Sequence, residues 1–226
     1  MFESCAAADF AFARFRRKPT FSISSVDYKT SHRTVVLPGF VNTRAFVPNI
    51  AVPNSSDVAT ATEAALAGGF TTVQIMPIGV GASIEDALTL DVAKANAAGH
   101  AHCDYTLGVA ATPENATRIT PELIAAARTL SLPFTNLAGA TSKVAAIAAH
   151  FSAWPIDKPI VTDARTTDLA SVLLLASLHG RSIHVTNVQS AEDIGLIALS
   201  KEKELKVTCD VTVYSLFLTS EQYPGS

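Results

Sequence analysis

Residues 33–226 predict an α/β fold: a TIM-type (β/α) barrel that is incomplete, with about seven strands. Three observations carry that expectation. Short apolar segments alternate with Ala-rich helical patterns seven times, the order expected when every strand is followed by a helix. No Gly-x-Gly-x-x-Gly follows the first strand, which argues against an open doubly wound sheet built around a nucleotide. The count is one short of eight, and the final stretch, 216–226, begins like a further helix.

Taken in order, the strand candidates are 34–42, 70–76, 103–110, 132–137, 159–163, 182–187 and 206–213. Val35, Val36, Leu37, Phe40 and Val41 make the first an apolar run of the kind a buried parallel strand shows, and it opens into Asn42 and Arg44. Helix starts are marked by Thr120-Pro121-Glu122, an N-cap followed by proline at N1, and by Ser83 with Asp86, which resembles a capping box. Gly68-Gly69, Gly99 and Gly180 stand where helices are expected to stop. Residues 1–32 do not share this rhythm. They hold five phenylalanines, the basic run Arg14, Arg16, Arg17 and Lys18, and Ser22, Ser24 and Ser25, and they read as a linker or docking arm ahead of a barrel over 33–226.

Composition narrows the function classes. Charged residues make up 16% of the chain, against about 25% in typical soluble domains. That fits a piece that packs against neighbours, and equally a barrel rich in buried strands. With a net charge of −3 and one short basic run, nucleic acid is not expected as a partner. No apolar run approaches the length of a membrane span. Glu3 and Asp9 argue against a transit peptide. Cys5, Cys103 and Cys209 have neither metal spacing nor even pairing, which favours free thiols in a reducing, cytoplasmic setting.

Several stretches resemble the dihydroorotases, a family of cyclic amidohydrolases. The first of these are Leu37-Pro38-Gly39, Ala64-Ala65-Leu66-Ala67-Gly68-Gly69-Phe70-Thr71-Thr72-Val73 and Met76-Pro77. Further along come His150-Phe151 with Trp154-Pro155, Arg181-Ser182-Ile183-His184-Val185 and Thr208-Cys209-Asp210-Val211. The resemblance runs from about Val36 to Leu218 and implies the amidohydrolase barrel. It is strongest to the dihydroorotase domain of the multifunctional polypeptide that also carries carbamoyl phosphate synthetase and aspartate transcarbamoylase. It implies those two domains as neighbours in one polypeptide of de novo pyrimidine biosynthesis.

The family's working residues are missing from the matching positions. The paired first-strand histidines that hold zinc fall on Arg44 and Phe46, and the arginine that grips the substrate carboxylate falls on Pro48. The strand-two asparagine falls on Ile78, and the carboxylated lysine on Thr135, or on Asn136 if the match slips by one. The fifth- and sixth-strand histidine ligands fall on Asp163 and Asn187, and an acidic ligand after strand seven is kept as Asp210. The catalytic aspartate belongs to an eighth strand that lies beyond the match. Zinc needs three or four His, Cys or carboxylate donors on one point, and a cation at Arg44 opposes it. The resemblance therefore implies a domain with no catalytic residues, no metal site and no cofactor, as in fungal versions of the multifunctional protein.

Two readings remain. The first is a catalytically inactive, structural domain that self-associates as a homodimer. The second is a metal-independent small-molecule-binding or hydrolase domain using Arg44, Asp163 and Asp210. Arg44 is expected to reach across the mouth and pair with Asp163 or Asp210, while Phe46 fills the remaining volume. His100-Ala101-His102 is expected at a surface turn at the far end of the barrel, and His184 as a hydrogen-bonded core residue.

Overall fold

The computed structural model describes residues 38–134 and 143–212, and for Lys143 the backbone alone. Seven strands form one parallel sheet in strictly sequential order: β1 (Phe40–Ala45), β2 (Phe70–Ile75), β3 (Asp104–Ala110), β4 (Thr129–Leu132), β5 (Ile160–Thr162), β6 (Ile183–Val185) and β7 (Val207–Cys209). An order that never reverses is a barrel wall and not a doubly wound sheet. Among the described residues β7 does not pair with β1, so the wall stays open there. The outer layer is α1 (Asp57–Ala67), α2 (Ala87–His100), α3 (Pro121–Ala126), α4 (Lys143–Ala153), α5 (Thr166–Leu178) and α6 (Ala191–Glu202), with a 3-10 turn at Asn115–Arg118.

Alternation along the strands separates two environments. Ile75, Leu107, Val109, Leu130, Leu132, Ile160, Ile183 and Val185 belong to the buried core shared with Leu90, Leu123, Ile147, Leu169 and Val172 of the helices. The opposite strand face carries polar side chains. Gln74 pairs in register with Thr106, and Ser131, Val161, His184 and Thr208 follow one another in register across β4 to β7. The Thr106 hydroxyl donates to Gln74 Oε1 at 2.5 Å, and Gln74 Nε2 to Thr129 Oγ1 at 3.4 Å. Hydroxyls and an amide that bond one another tolerate an open barrel better than the branched apolar layers usual inside such barrels.

Thr120 and Pro121 start α3 as expected, with Thr120 Oγ1 accepting from Leu123 N–H. Gly180, at φ 61°, ends α5 in a Schellman arrangement, with Arg181 N–H reaching Ala176 O at 2.8 Å. Four details differ from the sequence reading. The fourth strand lies at Thr129–Leu132 and not over 132–137, because Pro133 cannot donate to a ladder and stops the pairing. The alternating Thr129-Leu130-Ser131-Leu132 is masked in sequence by the alanines ahead of it. The first strand begins at Phe40, after Pro38-Gly39, and residues 34–37 lie outside the described residues. Asp86, not Ser83, caps α2, in a reciprocal box with Thr89, while Ser83 Oγ accepts from Gly79 N–H. Gly99 lies inside α2, which runs to His100. Residues 1–32 lie outside the described residues.

Buried polar groups lock the helix ends to the sheet. Arg181 donates to Trp154 O at 2.9 Å and to Pro155 O at 2.7 Å, and Lys158 donates to the carbonyls of Ile124 and Ala127 at the end of α3. His150, fully buried on α4, donates Nε2–H to Thr112 O at 2.8 Å. Burial pushes its pKa below the ordinary range, against the opposing pull of that hydrogen bond. The unfolded chain takes up the proton near pH 6.5 while the folded chain resists it. Stability is therefore fully present above about pH 6.5 and is lost as pH falls toward the folded pKa. Urea midpoints between pH 7.5 and 5 should fall, and His150→Gln should flatten that fall; an unchanged slope contradicts it.

Candidate functional site

Barrel chemistry belongs at the carboxyl ends of the strands, and the positions singled out in sequence gather there. Arg44 is in β1, Phe46 directly follows it, and Pro48 lies in the next loop. Ile78 follows β2, Asp163 follows β5, Asn187 follows β6 and Asp210 follows β7. Thr135 and Asn136 lie outside the described residues.

The acidic residues at this end are engaged by backbone amides. Asp163 Oδ1 accepts from Phe134 N–H at 2.9 Å, joining the end of β5 to the end of β4. Asp193, on the first turn of α6 and 1% exposed, accepts from Thr166 N–H at 2.7 Å. Asp210 Oδ1 accepts from Asn187 N–H at 2.6 Å. Each carboxylate thus reaches back to the loop that follows the preceding strand. Two of the amides belong to strained residues: Thr166 sits at φ 49° and Asn187 at φ 54°. For a β-branched residue such as threonine this left-handed conformation costs on the order of 1–3 kcal/mol. A charge-assisted hydrogen bond of about 1.5–3 kcal/mol offsets it.

Arg165 closes the same network. Its guanidinium donates to Ala164 O at 2.8 Å, and through Nη2 to Thr186 O and Asn187 O at 2.7 Å each. Its Nε is 4.0 Å from Asp193 Oδ2. On the other side, Asp210 Oδ2 lies 3.0 Å from His184 Nε2, and His184 Nδ1 lies 2.8 Å from Thr208 Oγ1. A carboxylate only accepts, so Nε2 carries a proton and, in the neutral ring, Nδ1 accepts from the threonine hydroxyl. Burial pulls the Asp210 carboxyl upward, but the hydrogen bonds from His184 and Asn187 and the charges of His184 and Arg44 hold it below the carboxylate range.

The bridge expected from Arg44 does not form. Its Nε faces Met76 Sδ at 3.3 Å, its N–H donates to Asn42 Oδ1, and no ion pair joins it to Asp163 or Asp210. Both carboxylates already hold nearer donors, and Arg44 shares with Asp163 and Ile78 only a cleft of about 30 Å³. Phe46 fills no internal volume; it is 50% exposed. A resident zinc ion, which the fold family implies, does not fit these residues. Among the described residues no three His, Cys, Asp or Glu side chains converge; one oxygen each of Asp163 and Asp210 accepts a backbone amide, and the other oxygen of Asp210 meets His184. His100 and His102 are exposed at the end of α2, on the opposite rim.

Sequence reasoning missed Arg165 and Asp193. Asp193 follows Ser190 by three, where Ser190 Oγ accepts its N–H, so it looks like an ordinary first-turn acid. Only its burial marks it. Asp193→Ala should cost about 3 kcal/mol, because Thr166 N–H and Arg165 lose a buried carboxylate together. Arg44→Ala should change stability by no more than about 0.5 kcal/mol. Denaturant unfolding of both variants tests the ranking, and the reverse order would overturn it.

No family model matches the chain. It is 51% identical over 208 residues to the multifunctional protein pyrABCN of Emericella nidulans, and 42% identical over 210 residues to the multifunctional protein ura1 of Schizosaccharomyces pombe. These matches cover 92% and 93% of this chain but 9% of each relative. Among solved structures, the inactive dihydroorotase-like domain of the Chaetomium thermophilum CAD-like multifunctional protein is 49% identical, with a TM-score of 0.81. That match covers 86% of this chain and 57% of the other. An L-hydantoinase from Arthrobacter aurescens, 18% identical with a TM-score of 0.66 over 81% of this chain and 49% of its own, shares the fold. With its sequential parallel wall and these likenesses, the chain is a degenerate dihydroorotase-like domain, similar to one segment of the fungal multifunctional proteins and spanning about 9% of their length.

Proposed function

We propose that the chain is a catalytically inactive dihydroorotase-like domain serving as a structural and oligomerisation element of a multifunctional enzyme of de novo pyrimidine biosynthesis. Its neighbours in the same polypeptide are carbamoyl phosphate synthetase and aspartate transcarbamoylase domains, in the cytoplasm, with residues 1–32 as the linking arm. The observation that carries this reading is the use of Asp163 and Asp210 as acceptors for backbone amides, where a metalloenzyme needs free ligands. Arg44, Phe46, Pro48, Ile78, Thr135, Asp163, Asn187 and Asp210 are then the degenerate counterparts of a lost site. The alternative, a ligand site using Arg44, Asp163 and Asp210, is not favoured by a cleft of about 30 Å³.

Self-association as a homodimer is supported by the outer wall. The exposed residues of α4 include Val144, Ala149 and Ser152, those of α5 include Thr167, Leu174 and Leu178, and the middle of α6 exposes Ile194, Gly195, Ala198 and Leu199. Leu174, Leu178 and Ile194 are 62%, 73% and 58% exposed. These neighbouring helices present an apolar strip three helices wide, bounded on α6 by the exposed Glu192, Lys201 and Glu202. No helix among the described residues is long and apolar enough to cross a membrane.

Elemental analysis of the purified chain should find no stoichiometric zinc, and the chain should not interconvert carbamoyl aspartate and dihydroorotate. About one metal per chain surviving chelation, or measurable turnover, defeats the reading. Light scattering at micromolar concentration should give a dimer that Leu174→Glu with Leu178→Glu converts to a monomer. A wild-type monomer would remove the oligomerisation role.

A further inference from the structure

A second open space lies away from the carboxyl ends of the strands. It occupies about 650 Å³ and extends from the barrel interior to the amino-terminal openings of β4 to β7. In a closed barrel side chains fill this interior; among the described residues β7 and β1 do not pair with each other. The cavity's volume lies in the range of small-molecule pockets. Its inner end is polar, with Thr43, Gln74, Thr129, His184 and Thr208. Its middle is apolar, with Val161, Ile183 and Leu205, and at the rim Ile156 is 67% exposed.

Charge at the rim is unbalanced. Arg128, Lys158, Lys201 and Lys206 line the cavity against two acids, Asp157 and Glu204. Among the described residues none of these cations forms an ion pair with either acid. The whole chain is net negative, at −3, so this local excess of positive charge is not a general property of its surface. Arg128 and Lys158 stand close enough to repel: burial and the Arg128 charge hold the Lys158 ammonium below its ordinary range, against a smaller pull from Asp157. Lys158 also donates to the carbonyls of Ile124 and Ala127, which leaves Arg128, Lys201 and Lys206 to meet a ligand; Lys201 is in the last turn of α6, and the other two stand at the strands. Both sit directly before a strand, Arg128 before β4 and Lys206 before β7, on either side of the opening.

We propose that this cavity binds a small amphipathic organic anion, its charged group held between Arg128 and Lys206 and its apolar body lying along Ile156, Val161 and Leu205. A planar guanidinium suits a carboxylate or phosphate, and the surrounding apolar wall strengthens the contact by excluding water. The site opens at the rim opposite Asp163, Asn187 and Asp210, so it is independent of the positions that mark the lost dihydroorotase site.

Calorimetric titration of the 226-residue chain with 2-naphthoate, its uncharged counterpart 2-naphthamide, and inorganic phosphate tests this. The acid should bind one per chain and at least tenfold more tightly than either the amide, which lacks the charge, or phosphate, which lacks the apolar body. Arg128→Glu and Lys206→Glu should each weaken the acid tenfold or more, with unchanged circular dichroism and urea midpoint. Arg118→Glu, on the 3-10 turn away from the cavity, should leave it unchanged. Equal binding of acid and amide, no saturable binding of the acid, or indifference of a folded Arg128→Glu and Lys206→Glu pair of variants would each overturn the proposal. A loss caused equally by Arg118→Glu would also overturn it, by showing attraction to general surface charge.

Discussion

The hydrogen bond from a backbone amide to a carboxylate on the next element is the constraint on which the barrel mouth depends. It occurs three times in succession, from Phe134 to Asp163, from Thr166 to Asp193 and from Asn187 to Asp210. Without the carboxylates, the amides at the ends of β4, β5 and β6 lose acceptors, and the left-handed turns at Thr166 and Asn187 lose their compensation. A barrel has no cross-bracing at its mouth except through such loops. Here each acid fastens its own element to the one before, and the chain of fastenings runs round half the rim.

The same arrangement decides the chemistry. A carboxylate oxygen that accepts a short amide hydrogen bond is a poor candidate for a metal ligand or a general base, because either role would break the bond. Arg165 adds three carbonyl contacts to the network and stands beside Asp193, so the positive charge at this rim is used to hold loops. His184 joins through Asp210 and Thr208, with both ring nitrogens engaged. The polar groups of the mouth are engaged with one another, while the cavity of about 650 Å³ lies toward the amino-terminal ends of β4 to β7, lined by Arg128, Lys158, Lys201 and Lys206.

Much of this was legible in the sequence. Alternating apolar strands and Ala-rich helices gave the wall, and Thr120-Pro121 and Gly180 marked a helix start and a helix stop that the structure keeps. The placement of Asp163, Asn187 and Asp210 at strand ends followed from the family resemblance, since Thr162, Thr186 and Thr208 interrupt the apolar runs before them. Their partners were not legible. The Arg44 bridge failed because charge in a sequence does not reveal which nearer donor reaches a carboxylate first. Asp193 was hidden because a first-turn acid after a serine cap is normally exposed. Its 1% exposure is a consequence of how α6 packs against the loop after β5. The strand at Thr129–Leu132 was displaced in the reading because alanines before it continue a helical pattern that the fold cuts short at Ala126.

Amide hydrogen exchange across pH, with and without a chelator, tests the central claim most directly. The Phe134, Thr166 and Asn187 amides should be protected at pH 7 and unaffected by chelation. The Asp210 carboxyl is held below its unfolded pKa of about 3.9. Its contribution is therefore complete above that value and is lost as pH falls through the folded pKa, and Asn187 should lose protection in that acid window. Free exchange of these amides at neutral pH, or a loss of protection on adding chelator, would contradict the account.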